Sequence, residues 1–160
     1  EISACLVGSE MCIRDSWDKM NSRPQLGRFR QQCEYIVWGS NGPLPVERGV
    51  SVLPGLFQVA NVPTHERWHQ TQKPIELMRQ VVRLCKPGGC ICDPFAGSGS
   101  TLLAALQEGY QALGIEQEAY NIAIIQKRLS SIQQRIELPG VGGYRAVSFP
   151  DTSLQKQEGK

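Results

Sequence analysis

The chain has 160 residues, of which 41% are hydrophobic, and this is enough apolar material for one domain with a packed core. The formal charge is only +2, no run of 18 apolar residues occurs, and the N-terminus has no basic segment followed by an apolar one, so neither a membrane-spanning helix nor a secretory signal is predicted. The six cysteines show no framework typical of secreted domains, and Cys85, Cys90 and Cys92 lack the spacing of common zinc sites. We therefore expect buried, reduced thiols, no metal and a cytoplasmic location.

The first sixteen residues are expected to be foreign to the domain. Residues 6–16 read LVGSEMCIRDS, which resembles the translation of a sequencing adaptor, and they show no clean helical or strand period. Residues 1–16 are therefore excluded from fold reasoning, as an attached non-native segment should be. On this interpretation the native protein began upstream, and its part of the chain is more basic than the whole.

Residues 17–38 predict two strand segments joined by a basic stretch. Residues 17–20 are typical of the end of a strand, and residues 34–38, EYIVW, predict a strand because they are rich in aromatic and β-branched side chains. Between them, Arg23, Arg28 and Arg30 are candidates for contacts with phosphate groups. The alternative is that they are solvated side chains preceding a strand.

Residues 41–68 contain four prolines and predict loops rather than long regular elements. A short strand pair around residues 49–53 and 56–60 is expected within them. Trp68 is expected to pack in the core or at its rim. His65 and His69 are four residues apart, but no third ligand accompanies them, so no metal site is predicted.

Residues 74–86 predict a helix, with Pro74 at its first position and a Pro-Gly-Gly sequence after its end. Its apolar face at 3.6-residue spacing consists of Ile75, Met78, Val81, Val82 and Cys85. Thr71 is a candidate cap for this helix. Farther along the chain, residues 118–134 predict a long helix, and residues 138–160 predict a disordered tail.

The segment 93–101, DPFAGSGST, is the most informative part of the sequence, and we call it the glycine loop. The apolar run 90–92 predicts a strand before it, residues 101–106 predict a helix after it, and residues 111–115 predict a second strand that leads to Glu116. This order is how α/β proteins hold a nucleoside-containing cofactor. The helix N-terminus offers N–H groups to an anion, Gly97 and Gly99 permit positive φ and close approach, and Glu116 is suited to accept hydrogen bonds from ribose hydroxyls.

The glycine loop resembles the cofactor motif of amino-type DNA methyltransferases, which methylate adenine N6 or cytosine N4 with S-adenosylmethionine (SAM). The segment 69–74, HQTQKP, is similar to the H-x-T-x-K-P element that precedes this loop in the permuted, β-type members. The resemblance covers residues 17–135. It implies an α/β fold of the Rossmann-like SAM-dependent methyltransferase class, incomplete at the N-terminus, and a bacterial or phage origin.

The resemblance also implies a domain organisation, a cofactor and a partner. Residues 17–137 would form a partial methyltransferase domain, with residues 41–68 as the loop or target-contact region and residues 69–137 as the SAM-binding half. The partner is double-stranded DNA, and the transferred group goes to an exocyclic amino group. The residues expected at the cofactor are Lys73, Asp93, Pro94, Phe95, Gly97, Ser98, Gly99, Ser100, Thr101, Glu116 and Gln117.

Individual roles follow from the same resemblance. The N–H groups of residues 97–101 would receive the SAM carboxylate, Asp93 its ammonium, and Glu116 the ribose hydroxyls, with Lys73 at the rim and Gln117 beside the adenine. Tyr120 resembles a family tyrosine near the adenine pocket, with a packing role as the alternative.

The catalytic motif of this family, Asp/Asn/Ser-Pro-Pro-Tyr/Phe/Trp, does not occur in the 160 residues, which contain no Pro-Pro dipeptide. Its polar residue and aromatic ring bind the target amino group and stack on a flipped base. We therefore expect the motif upstream and the chain by itself to be inactive. The alternative is a non-catalytic module that binds SAM or nucleic acid. A dinucleotide-binding oxidoreductase is disfavoured, since the loop lacks the third glycine of that fingerprint.

Overall fold

A computed structural model describes residues 13–136 of the chain. Its elements are β1 (Ile13–Asp18), β2 (Cys33–Trp38), β3 (Leu56–Gln58), α1 (Ile75–Val82), β4 (Cys90–Asp93), α2 (Ser100–Gln107), β5 (Gln111–Gly114) and α3 (Ala119–Ile136). Residues 1–12 of the segment expected to be non-native, and all of the expected tail 138–160, lie outside the described residues. No helix within the described range has both the length and the apolarity that a membrane crossing requires.

The first sheet has the strand order β2-β1-β3. β1 runs antiparallel to β2 and parallel to β3, with Trp17 opposite Glu34 on one side and Phe57 on the other. Trp17, Phe57 and Leu77 of α1 are buried together and form the core of this part of the molecule. The indole N–H of Trp17 also donates to the carbonyl of Val59 at 2.7 Å, so the largest core side chain has its polar atom satisfied.

The first sheet differs from two of the expectations. Residues 49–53 form no strand, and β3 pairs with β1 instead of with them. Gly49 adopts φ 78° and Pro54 lacks an N–H, so this stretch is poorly suited to a strand ladder. β1 begins at Ile13, inside the segment expected to be non-native, whose lack of a strand period therefore did not exclude a strand.

The second sheet contains β4 and β5, which are parallel, with Asp93 opposite Gly114. α2 connects them and contacts both strands as well as α1. Val82, Ala105 and Tyr110 form one buried cluster on the helical side, and Ala96, Leu102 and Ile125 form another. The strands and helices predicted around the glycine loop are therefore present, and they bring the end of β4, the start of α2 and the end of β5 together.

Three details of the predicted elements are wrong. α1 ends at Val82 rather than at residue 86, and the predicted face omitted Leu77, which is its most buried residue. Thr71 does not cap α1, because its hydroxyl lies 3.1 Å from Nδ1 of His69.

The expectation of buried thiols is also wrong for both cysteines of β4. Cys90 and Cys92 are exposed, and Cys85 is half-buried. Side chains alternate between the two faces of a strand, and no described element covers the face that carries Cys90, Cys92 and Leu113.

Candidate functional site

The glycine loop is fixed at its start by hydrogen bonds to the ends of both strands of the second sheet. A carboxylate oxygen of Asp93 accepts from the N–H of Phe95 at 3.0 Å. The N–H of Ala96 donates to the carbonyl of Ile115 at 3.0 Å, and the N–H of Ile115 donates to the carbonyl of Asp93 at 2.9 Å. The loop is therefore held beside the residue after β5 before it turns into α2.

Both predicted loop glycines take positive φ, but they serve different purposes. Gly97 has φ 52° and Gly99 has φ 78°, a region that side chains other than glycine rarely adopt. A Cβ atom at Gly97 would meet the carbonyl oxygen of Phe95 at 4.0 Å, an ordinary contact distance, so the backbone here is not crowded. A Cβ atom at Gly99 would lie 3.0 Å from Cγ1 of Ile125, so this glycine lets the loop pack on α3.

The backbone N–H groups of the loop are only partly available to a ligand. The N–H of Gly97 donates to Oε2 of Glu116 at 2.7 Å, and that of Gly99 donates to the carbonyl of Ala96 at 2.7 Å. The N–H groups of Ser98, Ser100 and Thr101 have no acceptor within the described part of the chain. These three groups lie at the N-terminal end of α2, where the helix dipole favours an anion.

Glu116 follows β5 and bridges the loop to the start of α3. Its Oε2 accepts from Gly97 and its Oε1 accepts from the N–H of Glu118 at 2.9 Å. The N–H of Glu118 has the largest effect and lowers the pKa of this carboxyl, desolvation comes second and opposes it, and the contacts with Gly97, Asn121 and Gln117 lower the pKa further. The group is therefore ionised at neutral pH. The N–H groups of Gly97 and Glu118 lie at hydrogen-bond distance, one on each carboxylate oxygen, so each oxygen retains a lone pair for a further donor.

The serines of the loop face the protein interior. Ser98 is buried, and the guanidinium of Arg128 donates to its carbonyl oxygen and, at 3.1 Å, to its hydroxyl. The hydroxyl of Ser100 is buried and has no hydrogen-bond partner in the described structure. Thr101 is half-buried at the first turn of α2. Of the loop hydroxyls, that of Ser98 is thus hydrogen-bonded to Arg128 of α3.

Arg128 is a residue that the sequence reasoning missed. It is buried, and desolvation lowers its pKa, although a guanidinium remains charged under ordinary conditions. The available signal was its position: Arg128 lies three residues after Ile125 and beside Leu129, within the apolar stripe of α3. A charged residue in such a stripe usually has a specific partner.

The side chains around Glu116 include exposed aromatic groups. Phe95 is 89% exposed and Tyr120 is 72% exposed, while Pro94 and Gln117 are also at the surface. Exposed rings of this size, beside open N–H groups and a carboxylate, are suited to contact a planar ligand. The packing alternative for Tyr120 receives no support from its exposure.

Lys73 lies on the surface next to the first sheet. Its Nζ is 2.6 Å from Oε2 of Glu34 and 5.3 Å from the ring centre of Trp17, and Lys19 approaches Oε1 of Glu34 at 3.4 Å. Burial acts to raise the pKa of Glu34, but the two ammonium groups, Lys73 foremost, bring it below its ordinary value. Glu34, also missed from the sequence, thus attaches the H-x-T-x-K-P element (residues 69–74) to β2.

The loop before this element is held by its own polar groups. Arg67 donates to the carbonyls of Val62 at 2.7 Å and Gln70 at 3.2 Å. Trp68 is partly exposed, and Nζ of Lys127 on α3 lies 5.0 Å from its ring centre. α3 therefore contacts both the glycine loop and the residues that lead into the H-x-T-x-K-P element.

The remaining candidates lie elsewhere on the surface. Arg23, Arg28 and Arg30 are exposed on the segment between β1 and β2, and their contact with phosphates stays a prediction. Within residues 13–136, no three His, Cys, Asp or Glu side chains form a group that would hold a metal ion. A cleft of about 460 Å³ lies between the end of β2, α1 and β4, and Thr101 is the predicted site residue that lines it.

Two relatives that are similar in sequence to this chain are named as a methylase and a methyltransferase. YubD of Escherichia coli (strain K12) is 34% identical over 111 residues, which are 68% of this chain and 46% of that protein. The type II methyltransferase M2.DpnII of Streptococcus pneumoniae is 39% identical over 133 residues, covering 72% of this chain and 50% of the relative. The chain thus spans about half the length of these two relatives.

A solved structure and a family match extend the comparison. The crystal structure of the M1.HpyAVI–SAM complex is similar with a TM-score of 0.63 and 26% identity, over 76% of this chain and 63% of that one. The predicted fold class is thereby confirmed. The family described as DNA methylase, of N6 and N4 type, matches residues 11–127. The match begins inside residues 1–16, whose foreign origin stays a prediction. Because it covers well over half of the sequence, the chain belongs to this N6/N4 DNA methylase family.

Proposed function

We propose that the chain is the SAM-binding half of a DNA methyltransferase that methylates the exocyclic amino group of adenine or cytosine. The observation that carries the proposal is the pairing of the glycine loop with Glu116. Its ionised carboxylate accepts the N–H of Gly97, while the N–H groups of Ser98, Ser100 and Thr101 have no protein acceptor in the described structure. A site with open donors beside a fixed carboxylate fits a ligand that has both an anionic end and hydroxyl groups.

The residues present fit the parts of SAM. The three open N–H groups would bind its carboxylate, and Asp93, whose Oδ1 already accepts the N–H of Phe95, would accept from its ammonium. Glu116 would accept the ribose hydroxyls through its remaining lone pairs. Gly97 has no side chain to obstruct the ligand, and the exposed side chains of Phe95, Gln117 and Tyr120 would contact the adenine.

SAM itself supplies a methyl group that is activated by the sulfonium charge. The residues of this chain then contribute binding and orientation, because in-line transfer requires the methyl group to face the target amine. We place the binding of the base, and the Asp/Asn/Ser-Pro-Pro-Tyr/Phe/Trp motif, in an upstream half. Two observations support this placement: the chain spans about half the length of the two relatives, and it contains no Pro-Pro dipeptide.

The proposed partner is double-stranded DNA. M2.DpnII is named as a type II methyltransferase, and Arg23, Arg28 and Arg30 are exposed on one segment of this chain. Exposed arginines would neutralise DNA phosphates, and such contacts do not depend on the base sequence. Residues 41–68 would contribute target contacts, and they are surface loops with a single short strand.

Calorimetric titration of the chain with SAM tests the cofactor assignment. We expect binding by the unmodified chain and a roughly tenfold or greater loss of affinity in Glu116→Gln, because a charged acceptor becomes a neutral amide facing the N–H of Gly97. Glu118→Gln is the matched control. It removes a neighbouring acid whose backbone, and not its side chain, bonds to Glu116. Its affinity should stay within about twofold of the unmodified chain, since only an exposed charge that solvent and salt screen is lost.

Two results would contradict the assignment. If the unmodified chain shows no heat of SAM binding, the SAM-binding function is wrong. If both variants bind equally well, Glu116 is not the ribose acceptor. Circular dichroism of each variant shows that the comparison is made between folded proteins.

A further inference from the structure

The peptide group between Ser98 and Gly99 is bonded at both of its ends. Its carbonyl oxygen accepts from the Arg128 guanidinium, and its N–H donates to the carbonyl of Ala96 at 2.7 Å. The two bonds point in opposite directions, as the C=O and N–H of a planar trans peptide must. The orientation of this peptide plane is therefore set jointly by Arg128 and Ala96.

The neighbouring N–H groups depend on this plane. Ser98 lies between two glycines of positive φ, and such alternation of backbone conformation lets successive N–H groups converge on an anion. The carbonyl of Gly99 accepts the first helical bond, from Leu103 at 3.0 Å, so the N–H of Ser100 points out of the N-terminal end of α2. The Ser98–Gly99 peptide lies between the two peptides that carry the N–H groups of Ser98 and Ser100 and shares a Cα atom with each, so a displacement of this peptide would move both donors.

Arg128 is well placed to hold that plane rigidly. It comes from α3, which also packs Ile125 against Gly99, and both Arg128 and Ser98 are buried. One guanidinium nitrogen reaches two oxygens of the same residue, the carbonyl and, at 3.1 Å, the hydroxyl. The positive charge of Arg128, buried behind the loop, also makes the electrostatic potential more positive at the place where an anion would bind.

We propose that Arg128 is a positioning residue of the cofactor site: by bonding the carbonyl and the hydroxyl of Ser98, it fixes the place of the Ser98–Gly99 peptide and so of the flanking N–H groups of Ser98 and Ser100, which bind the carboxylate of the cofactor. The inference rests on the proposed function and assigns Arg128 to one end of the ligand. It concerns the amino-acid end and not the adenosine end, since Glu116 and the exposed aromatic side chains belong to other parts of the site.

A pair of ligands separates this role from a merely structural one. S-adenosylhomocysteine has the amino-acid end, whereas 5′-methylthioadenosine has the same adenosine and thioether without the carboxylate and ammonium. The full 160-residue chain is titrated with both compounds. For Arg128→Met we expect a roughly tenfold or greater loss of affinity for S-adenosylhomocysteine, as expected when donors to a charged group are misdirected, and a change of about twofold or less for 5′-methylthioadenosine.

Three further variants complete the test. Arg128→Lys retains the charge but reaches fewer acceptors, so it should restore part of the S-adenosylhomocysteine affinity. Ser98→Ala removes the hydroxyl contact of Arg128 while the carbonyl contact remains, so the loss of S-adenosylhomocysteine affinity should again be selective but smaller than in Arg128→Met. Lys86→Met removes one positive charge from the exposed turn after α1 and should leave the ratio of the two affinities unchanged.

The outcomes divide clearly. A selective loss of S-adenosylhomocysteine binding in Arg128→Met supports the inference, whereas an equal loss with both ligands, or no loss, overturns it. If Arg128→Met does not fold, Arg128→Lys decides in the same way, by selective weakening or its absence. If the unmodified chain binds neither ligand, the proposed function fails first, and the inference is wrong with it.

Discussion

Single residues of two different elements fix the glycine loop. Glu116, after β5, accepts the N–H of Gly97, and Arg128, on α3, binds the carbonyl of Ser98. The sequence singled out Glu116 as a candidate for the ribose hydroxyls, because an acid at the end of a strand is a local pattern, but it did not predict the bond of Glu116 to the loop. It did not predict Arg128, because the contact joins residues 30 positions apart and depends on how α3 packs.

Cysteine exposure shows the same limit at the residue scale. The alternation of Cys90, Ile91 and Cys92 correctly predicted a strand, and Ile91 packs toward the helices. Which face of a strand is covered is a property of its neighbours, however, and no described element lies over the cysteine face. Local pattern therefore predicted the element but not the burial of its thiols.

Gly99 permits a prediction about stability with an internal control. Gly99 and Gly109 have nearly equal φ values, 78° and 80°, but an added Cβ meets Ile125 at 3.0 Å only in the first case and open space in the second. Gly109→Ala should reduce the free energy of unfolding by about 1–2 kcal/mol through backbone strain alone. Gly99→Ala should cost about 1–2 kcal/mol more, because overpacking against α3 is added.

Urea denaturation of the two variants measures the difference. Equal losses of stability would show that the loop moves away from Ile125 without cost, and the close packing of the loop on α3 would then have no energetic importance.

At the scale of elements, the sequence predicted the segments around the glycine loop well and the first sheet less well. The strand, turn, helix and second strand of residues 90–116 are contiguous, and each has a strong local pattern. β3 instead depends on pairing with β1, about 40 residues earlier, and the expected hairpin with residues 49–53 does not form. Pairing between distant strands is specified by the whole core, here Trp17 and Phe57, and not by either segment alone.

Glu34 connects two elements, and its contribution can be measured. It pairs with Lys73 at 2.6 Å and with Lys19 at 3.4 Å, and the Lys73 and Glu34 side chains are 46% and 41% exposed. Because the pair is open to solvent, a double-mutant cycle of Glu34→Gln and Lys73→Met should give a coupling energy of only about 0.5–1 kcal/mol. The cycle with Lys19→Met should give a smaller value, because the separation is longer.

The measurement is thermal or urea unfolding of the four proteins in each cycle, at low and at moderate salt. Salt should reduce the Lys73 coupling. A coupling that is near zero at low salt would mean that the H-x-T-x-K-P element is not held to β2 by this ion pair.

At the scale of the whole molecule, residues 13–136 form two sheets and carry the candidate cofactor site, while the two relatives compared above are about twice as long as the chain. The face of β4 and β5 that carries Cys92 and Leu113 is uncovered in the described structure, and Leu113 is 52% exposed. In the proposed division of labour, this chain would bind the cofactor and an upstream half would bind the base. Sequence alone suggested that division through the absence of a Pro-Pro dipeptide.

This proposal predicts different behaviour for two proteins. The 160-residue chain should only bind the cofactor, whereas the complete protein should also transfer the methyl group. The 160-residue chain should bind SAM, but it should transfer no tritiated methyl group to DNA, because a flipped base needs the polar and aromatic residues of the upstream motif. The complete reading frame, extended upstream through that motif, should label DNA. Its Glu116→Gln variant should lose activity at limiting SAM and regain most of it at saturating SAM, since weaker cofactor binding raises KM for SAM more than it lowers kcat. DNA methylation by the 160-residue chain alone would contradict this division, and a complete protein that binds SAM but never labels DNA would contradict the assignment of the upstream half.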